Sequence, residues 1–156
     1  MKTICPFTKL IYFYAATGCM ALVPALFAVS PPPDGGYPGE NTAEGQDALF
    51  SLESGSQNTA VGFEALYSSD NGSANTACGA STLHSNTAGS FNTSIGADSL
   101  YSNTSGSSNT AVGFQTLYLN SGGGNTATGI FAMYNNTSGG SNCAFGVRAL
   151  NNYKAS

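Results

Sequence analysis

The chain contains one histidine, His84, and a lone imidazole is the first group to weigh as a general base. It stands where equivalent segments carry Phe50, Tyr67, Tyr101, Tyr118 and Tyr134, so it reads as one ring replacing another rather than as a catalyst. The acids Glu44, Asp47, Glu53, Glu64, Asp70 and Asp98 read as scattered through the sequence rather than gathered in one column. That disfavours the facing carboxylates of glycoside hydrolysis. Gly122-Gly123-Gly124 lacks the Lys-Ser/Thr pair that completes a phosphate loop. A Gly-rich calcium repeat with an Asp in every copy is absent as well. No catalytic residue, metal ligand or cofactor site is expected, and the chain is read as a non-enzyme.

What must position these residues is an internal repeat. Units begin at Asn41, Asn58, Asn75, Asn92, Asn109, Asn125 and Asn142, spaced by 17 residues except for one step of 16. The consensus is N-T-A-V-G-F-x-A-L-Y-x-N-T-x-G-S-x. The fifth position is Gly45, Gly62, Gly79, Gly96, Gly113, Gly129 and Gly146, an unbroken column that implies a backbone shape or close approach barred to a Cβ. The ninth is Leu49, Leu66, Leu83, Leu100, Leu117, Met133 and Leu150, the expected core ladder. A Gly-Ser turn closes most units, as at Gly55-Ser56 and Gly89-Ser90.

Helical repeats need about 33 residues or more for two helices. Seventeen residues rich in Gly, Thr and Asn suit one coil of a parallel β-solenoid instead, with two short strands and tight turns per coil. The expected fold is therefore all-β, a β-roll of seven coils over 41–156. Six steps at about 4.8 Å give a rod about 29 Å long. The fourth and sixth positions are bulky and apolar and share a face, whereas the third is Ala except for Ser94. A thin solenoid has water outside, so the small-residue face suggests close packing against another chain. On this ladder Cys78 and Cys143 lie about 19 Å apart, and a disulfide needs Cα atoms within about 7 Å. They are expected unpaired, as small core residues.

Only 8 % of the residues are charged, against 41 % hydrophobic, and the regular apolar spacing argues for order rather than a disordered polar chain. The formal charge is −4. There is no basic patch of the kind that nucleic-acid binding requires. Residues 1–30 read as an export signal: Lys2 and Lys9 precede the apolar run from Leu10 to Val29, and Ala28 and Ser30 offer a cleavage pattern. Pro24 and the small residues near the end of the run favour removal over a retained span, leaving no stable membrane segment. Without Lys2 and Lys9, eight acids face Arg148 and Lys154, a charge of about −6. Residues 31–40 form a Pro/Gly-rich spacer. Sequons at Asn71, Asn92, Asn103, Asn135 and Asn136 matter only in a host that glycosylates.

The N-T-A-V-G-F blocks at Asn58 to Phe63 and Asn109 to Phe114, with N-T-S-I-G at Asn92 to Gly96, resemble the YadA-like head repeats of trimeric autotransporter adhesins. Related Asn-Thr-Ala-x-Gly repeats occur in phage tail-fibre-like proteins. The resemblance covers 41–156 and implies a left-handed parallel β-roll, three chains side by side, and binding to host or matrix surfaces. The unit here is longer than the family's usual one, which predicts a larger turn.

Three functions compete. The first is a secreted or cell-surface adhesive protein, multivalent through its repeats, trimeric or stacked end to end, with a glycan or matrix-protein ligand. The column Phe50, Tyr67, Tyr101, Tyr118 and Tyr134 is its candidate platform for sugars. The second is an ice-binding solenoid using Thr42, Thr59, Thr76, Thr93, Thr110 and Thr126. The third, a glycan-processing enzyme, is disfavoured by the scattered carboxylates.

Overall fold

A computed structural model of the chain describes residues 37–152. The export segment and most of the spacer read from the sequence lie outside the described residues. Seven strands follow one another in a single parallel sheet: β1 (Thr42–Glu44), β2 (Thr59–Val61), β3 (Thr76–Cys78), β4 (Thr93–Ile95), β5 (Thr110–Val112), β6 (Thr126–Thr128) and β7 (Cys143–Phe145). Equivalent positions pair throughout, Thr59 with Thr76 and Thr76 with Thr93. The architecture is a parallel β-solenoid with one repeat per coil.

Each coil holds one strand rather than the two expected. The segment that should have formed the second alternates handedness: Glu64 and Leu66 sit at φ 52° and 52°, Asp98 and Leu100 at 55° and 51°. Extended conformation is impossible there, and each non-glycine left-handed residue costs about 1–2 kcal/mol. The coils nevertheless stay bonded through this corner. The Leu66 N–H donates to Thr82 O and the Leu83 N–H to Ser99 O, both at 3.0 Å. These bonds, with the buried leucines, hold the strained corner in place.

The core is narrow. Ala60, Ala77, Ser94, Ala111 and Ala127 of the strands are fully buried, as are Leu66, Leu83, Leu100, Leu117 and Met133. Leu49 is buried at one end, and Leu150 is exposed at the other. The strand faces are thus opposite to the expectation that small residues meet another chain. The third-position alanines point inward and form one cluster with the leucine ladder. The bulky fourth- and sixth-position residues Val61, Phe63, Ile95, Phe114 and Ile130 are exposed. The leucines already fill the interior, and only a methyl-sized group fits opposite them.

The fifth-position glycines are required on two counts. At Gly79 the backbone has φ +137°, and an added Cβ would lie 2.7 Å from the carbonyl carbon of Gly96 on the next coil.

Two buried asparagine ladders run along the axis. In the first, Asn75 donates from Nδ2 to Gly89 O across its own coil (2.8 Å) and to Asn58 Oδ1 on the coil before (3.1 Å). Its Oδ1 accepts the Asn92 backbone N–H at 2.9 Å. In the second, Asn103 Nδ2 donates to Asn86 Oδ1 (3.0 Å) and Gly106 O (2.8 Å). Buried polar groups are ordinarily paired, and a stacked amide pairs with its own copies. At the two ends of the second ladder, Ser69 Oγ and Asn136 Oδ1 find no hydrogen-bond partner among the described residues.

The one 16-residue step costs no register. Asn120 reaches Gly122 O two residues on, where Asn103 reaches Gly106 O three residues on. The deletion lies in that turn, and Thr110 still pairs with Thr126. Before the first coil, Tyr37 bridges to Asn41 and packs on the core cluster. Gly39 O accepts the Gln57 N–H at 2.7 Å. The last residues of the spacer therefore belong to the folded body.

Candidate functional site

The left-handed corner turns the tenth-position side chains into one column. Phe50, Tyr67, His84, Tyr101, Tyr118 and Tyr134 stack with ring centroids 4.9–5.2 Å apart and planes within 12° of parallel. His84 lies between Tyr67 and Tyr101, with Nε2 3.5 Å from Glu64 Oε2. The imidazole continues the stack, and its Nδ1 lies 3.5 Å from the Ser85 hydroxyl. Burial, then the neighbouring Tyr134 and Tyr101 and the Asp98 carboxylate, push the Tyr118 phenol above its ordinary value of 10.0.

Stacking changes what the column offers a ligand. Sugars bind aromatic residues through the ring face, and every interior ring has both faces against neighbours. The column presents edges along its length, and face-on binding is restricted to its ends.

Beside the rings runs a second column, at the seventh position: Asp47, Glu64, Ser81, Asp98, Gln115, Phe131 and Arg148. Three acids read from the sequence as scattered therefore do share a column. Asp47 and Glu64 lie on adjacent coils, about 4.8 Å apart by ladder spacing. Asp47 accepts from Gln46 Nε2 (3.3 Å), Glu64 faces His84, and Asp98 accepts from Gln115 Nε2 (3.2 Å). Glu64 and Asp98 are two coils apart, about 10 Å at ladder spacing, on a half-buried flank. No group of three or more His, Cys, Asp or Glu among the described residues is placed to hold a metal ion.

The outer face of the sheet is the other extended surface. Threonines from Thr42 to Thr126 stand in register at the second position, beside the fourth-position row containing Val61, Cys78, Ile95, Val112 and Thr128. Glu44 is its one charged residue. Cys78 and Cys143 are unpaired, as the ladder distance required, but they are exposed on this face rather than in the core. The inward-pointing alanines leave the second and fourth positions to face solvent.

The fold also sorts the sequons. Asn92, Asn103 and Asn136 are buried in the asparagine ladders, whereas Asn71 is exposed and Asn135 half-buried. The ladders were the feature that sequence reasoning missed. Their signal was visible in the leading Asn of every unit and the recurrent Asn at the twelfth position.

No helix among the described residues is long and apolar enough to cross a membrane. The surfaces define a class of protein, a parallel repeat solenoid with regular columns along its coils. Comparison with family models, curated proteins and solved structures gives no match to this chain.

Proposed function

We propose that this chain is an extracellular structural and adhesive repeat protein, exported by residues 1–30, that holds surfaces or matrix through many weak contacts along its coils. The observation that carries this reading is the outer sheet face: in-register rows of threonine and largely apolar side chains, half-buried to exposed and almost uncharged. Such a face binds weakly per coil, and repetition converts weak contacts into avidity. The resemblance to adhesin head repeats supports the same role. It adds the proposal that copies associate, as trimers or end to end, through the apolar residues Val61, Phe63, Ile95 and Phe114.

Binding of the mature chain to an array of matrix proteins and glycans, with its mass measured in solution, tests the proposal. Retention that drops when Ile95→Lys and Val112→Lys charge the face is expected. A monomer that binds nothing on the array contradicts it. The in-register, outward-facing threonine row also favours a second reading, adsorption to ice, which a thermal-hysteresis measurement decides directly.

A further inference from the structure

At its C-terminal end the seventh-position column changes character, from acids to Gln115, Phe131 and Arg148. Arg148 is the one cationic side chain among the described residues, and no described carboxylate lies within ion-pair distance of it. Its guanidinium carbon sits 5.7 Å above the centre of the Phe131 ring. That contact restrains the side chain while leaving its donors unspent. Around it lies a shallow depression of about 330 Å³ lined by Gln115, Phe131, Tyr134, Asn135, Arg148, Asn151 and Asn152.

The lining combines three kinds of group. Tyr134 is the last ring of the stack, so neighbouring rings do not sandwich it on both sides, and Phe131 meets it edge to face at 5.9 Å. The amides are held in place: Asn135 Nδ2 donates to Asn152 Oδ1 at 3.1 Å, and Gln115 Nε2 to Asp98 Oδ2 at 3.2 Å. The remaining amide donors and acceptors suit hydroxyl groups. An unpaired guanidinium suits a carboxylate, which it can grip through two parallel hydrogen bonds. The volume lies at the small end of ligand pockets, about 300–1,000 Å³.

We infer that this depression binds an acidic saccharide, a sugar unit bearing a carboxylate. Arg148 takes the carboxylate, the Asn and Gln amides take hydroxyls, and Tyr134 and Phe131 cover the apolar ring face. The inference rests on the adhesive reading for its setting and names one ligand class for it. It also accounts for a departure from the repeat: the site exists where the seventh position, after its last acid at Asp98, runs Gln115, Phe131 and Arg148, and the tenth exchanges its ring for Asn151.

The test is titration of the full mature chain with glucuronic acid, galacturonic acid and N-acetylneuraminic acid, and with neutral glucose and galactose, followed by NMR or calorimetry. Acidic sugars are expected to bind at least about tenfold tighter than neutral ones. Arg148→Gln should abolish that preference, Arg148→Lys should retain part of it, and Tyr134→Ala should weaken all the sugars. Circular dichroism establishes that each variant is folded, and the exposure of Arg148 predicts no effect on folding. Equal binding of acidic and neutral sugars, acid preference surviving in Arg148→Gln, or no binding of any acidic sugar overturns the inference. Matrix adhesion that persists in Arg148→Gln leaves the adhesive role standing and removes only this site's part in it.

Discussion

Replacing Asn75 with Ala separates a continuous amide ladder from seven independent turns. The substitution removes Nδ2 bonds to Gly89 O and Asn58 Oδ1, and takes the acceptor from the buried Asn92 N–H and from Asn92 Nδ2. Gly89 O keeps a donor in Asn86 Nδ2, and Asn92 Nδ2 keeps Gly106 O. The Asn92 N–H is left with nothing. One orphaned buried donor costs about 1–3 kcal/mol and each lost neutral bond about 0.5–1.5, so Asn75→Ala should destabilise by about 3 kcal/mol. Asn142 is the internal control. It donates to Asn125 Oδ1 (3.2 Å), but its own Oδ1 accepts from no described residue. Asn142→Ala should therefore cost only about 1 kcal/mol. Urea unfolding followed by far-ultraviolet circular dichroism measures both. Equal losses in the two variants, or an Asn75→Ala midpoint indistinguishable from the parent's, would refute the ladder argument.

Other consequences are open to the same kind of check. Gly79→Ala adds a Cβ 2.7 Å from the next coil and should cost several kcal/mol, whereas at Gly146, where nothing lies within 4 Å, only the φ of +117° is strained; unfolding midpoints of the two compare them. In a glycosylating secretion host, mass spectrometry should find glycan on Asn71 of the folded product and none on Asn92, Asn103 or Asn136. Alkylation under native conditions should modify both Cys78 and Cys143, as read by peptide mapping. Tyr118 should ionise above its free value, because burial and its neighbours disfavour the phenolate. The folded pKa is raised, so the stability tied to this group is complete below pH 10.0 and is lost as pH rises through the folded value. Ultraviolet titration of Tyr118→Phe against the parent, with unfolding midpoints on both sides of that range, tests it.

The period was legible because three kinds of residue mark the same phase. Asn at the first position, Gly at the fifth and Leu at the ninth each recur for a steric or hydrogen-bonding reason that every coil shares. The parallel order and register follow from that phase. Which strand face points inward was not legible. Between an Asn and a Gly only Thr-Ala-Val alternates, and three residues give no polar face to contrast with an apolar one. Val61 and Ile95 look more core-like than Ala60 and Ser94, yet the leucines occupy the space that larger strand residues would need. The second strand was misread for a related reason. Leu66 and Leu83 at positive φ contradict local preference, and only the coils above and below them impose that conformation.

At the candidate surfaces, the ring column was visible in the sequence, but its loss of free faces was not. That loss depends on the 4.9–5.2 Å spacing, which only the stacked coils create. The Arg148 depression escaped notice because its residues come from three successive coils, Gln115 from one, Phe131 to Asn135 from the next, and Arg148 to Asn152 from the last.

Cross-linking tests the stacked register most directly. In a chain whose native cysteines are replaced by serine, Thr59→Cys with Thr76→Cys places two thiols on register partners of adjacent strands, about 4.8 Å apart by ladder spacing. Thr59→Cys with Thr93→Cys doubles that distance to about 10 Å, beyond the reach of a disulfide at about 7 Å. Mild oxidation should bridge the first pair within one chain and leave the second reduced. Failure of the first pair to close, or equal closure of both, would contradict the fold and every surface built on it.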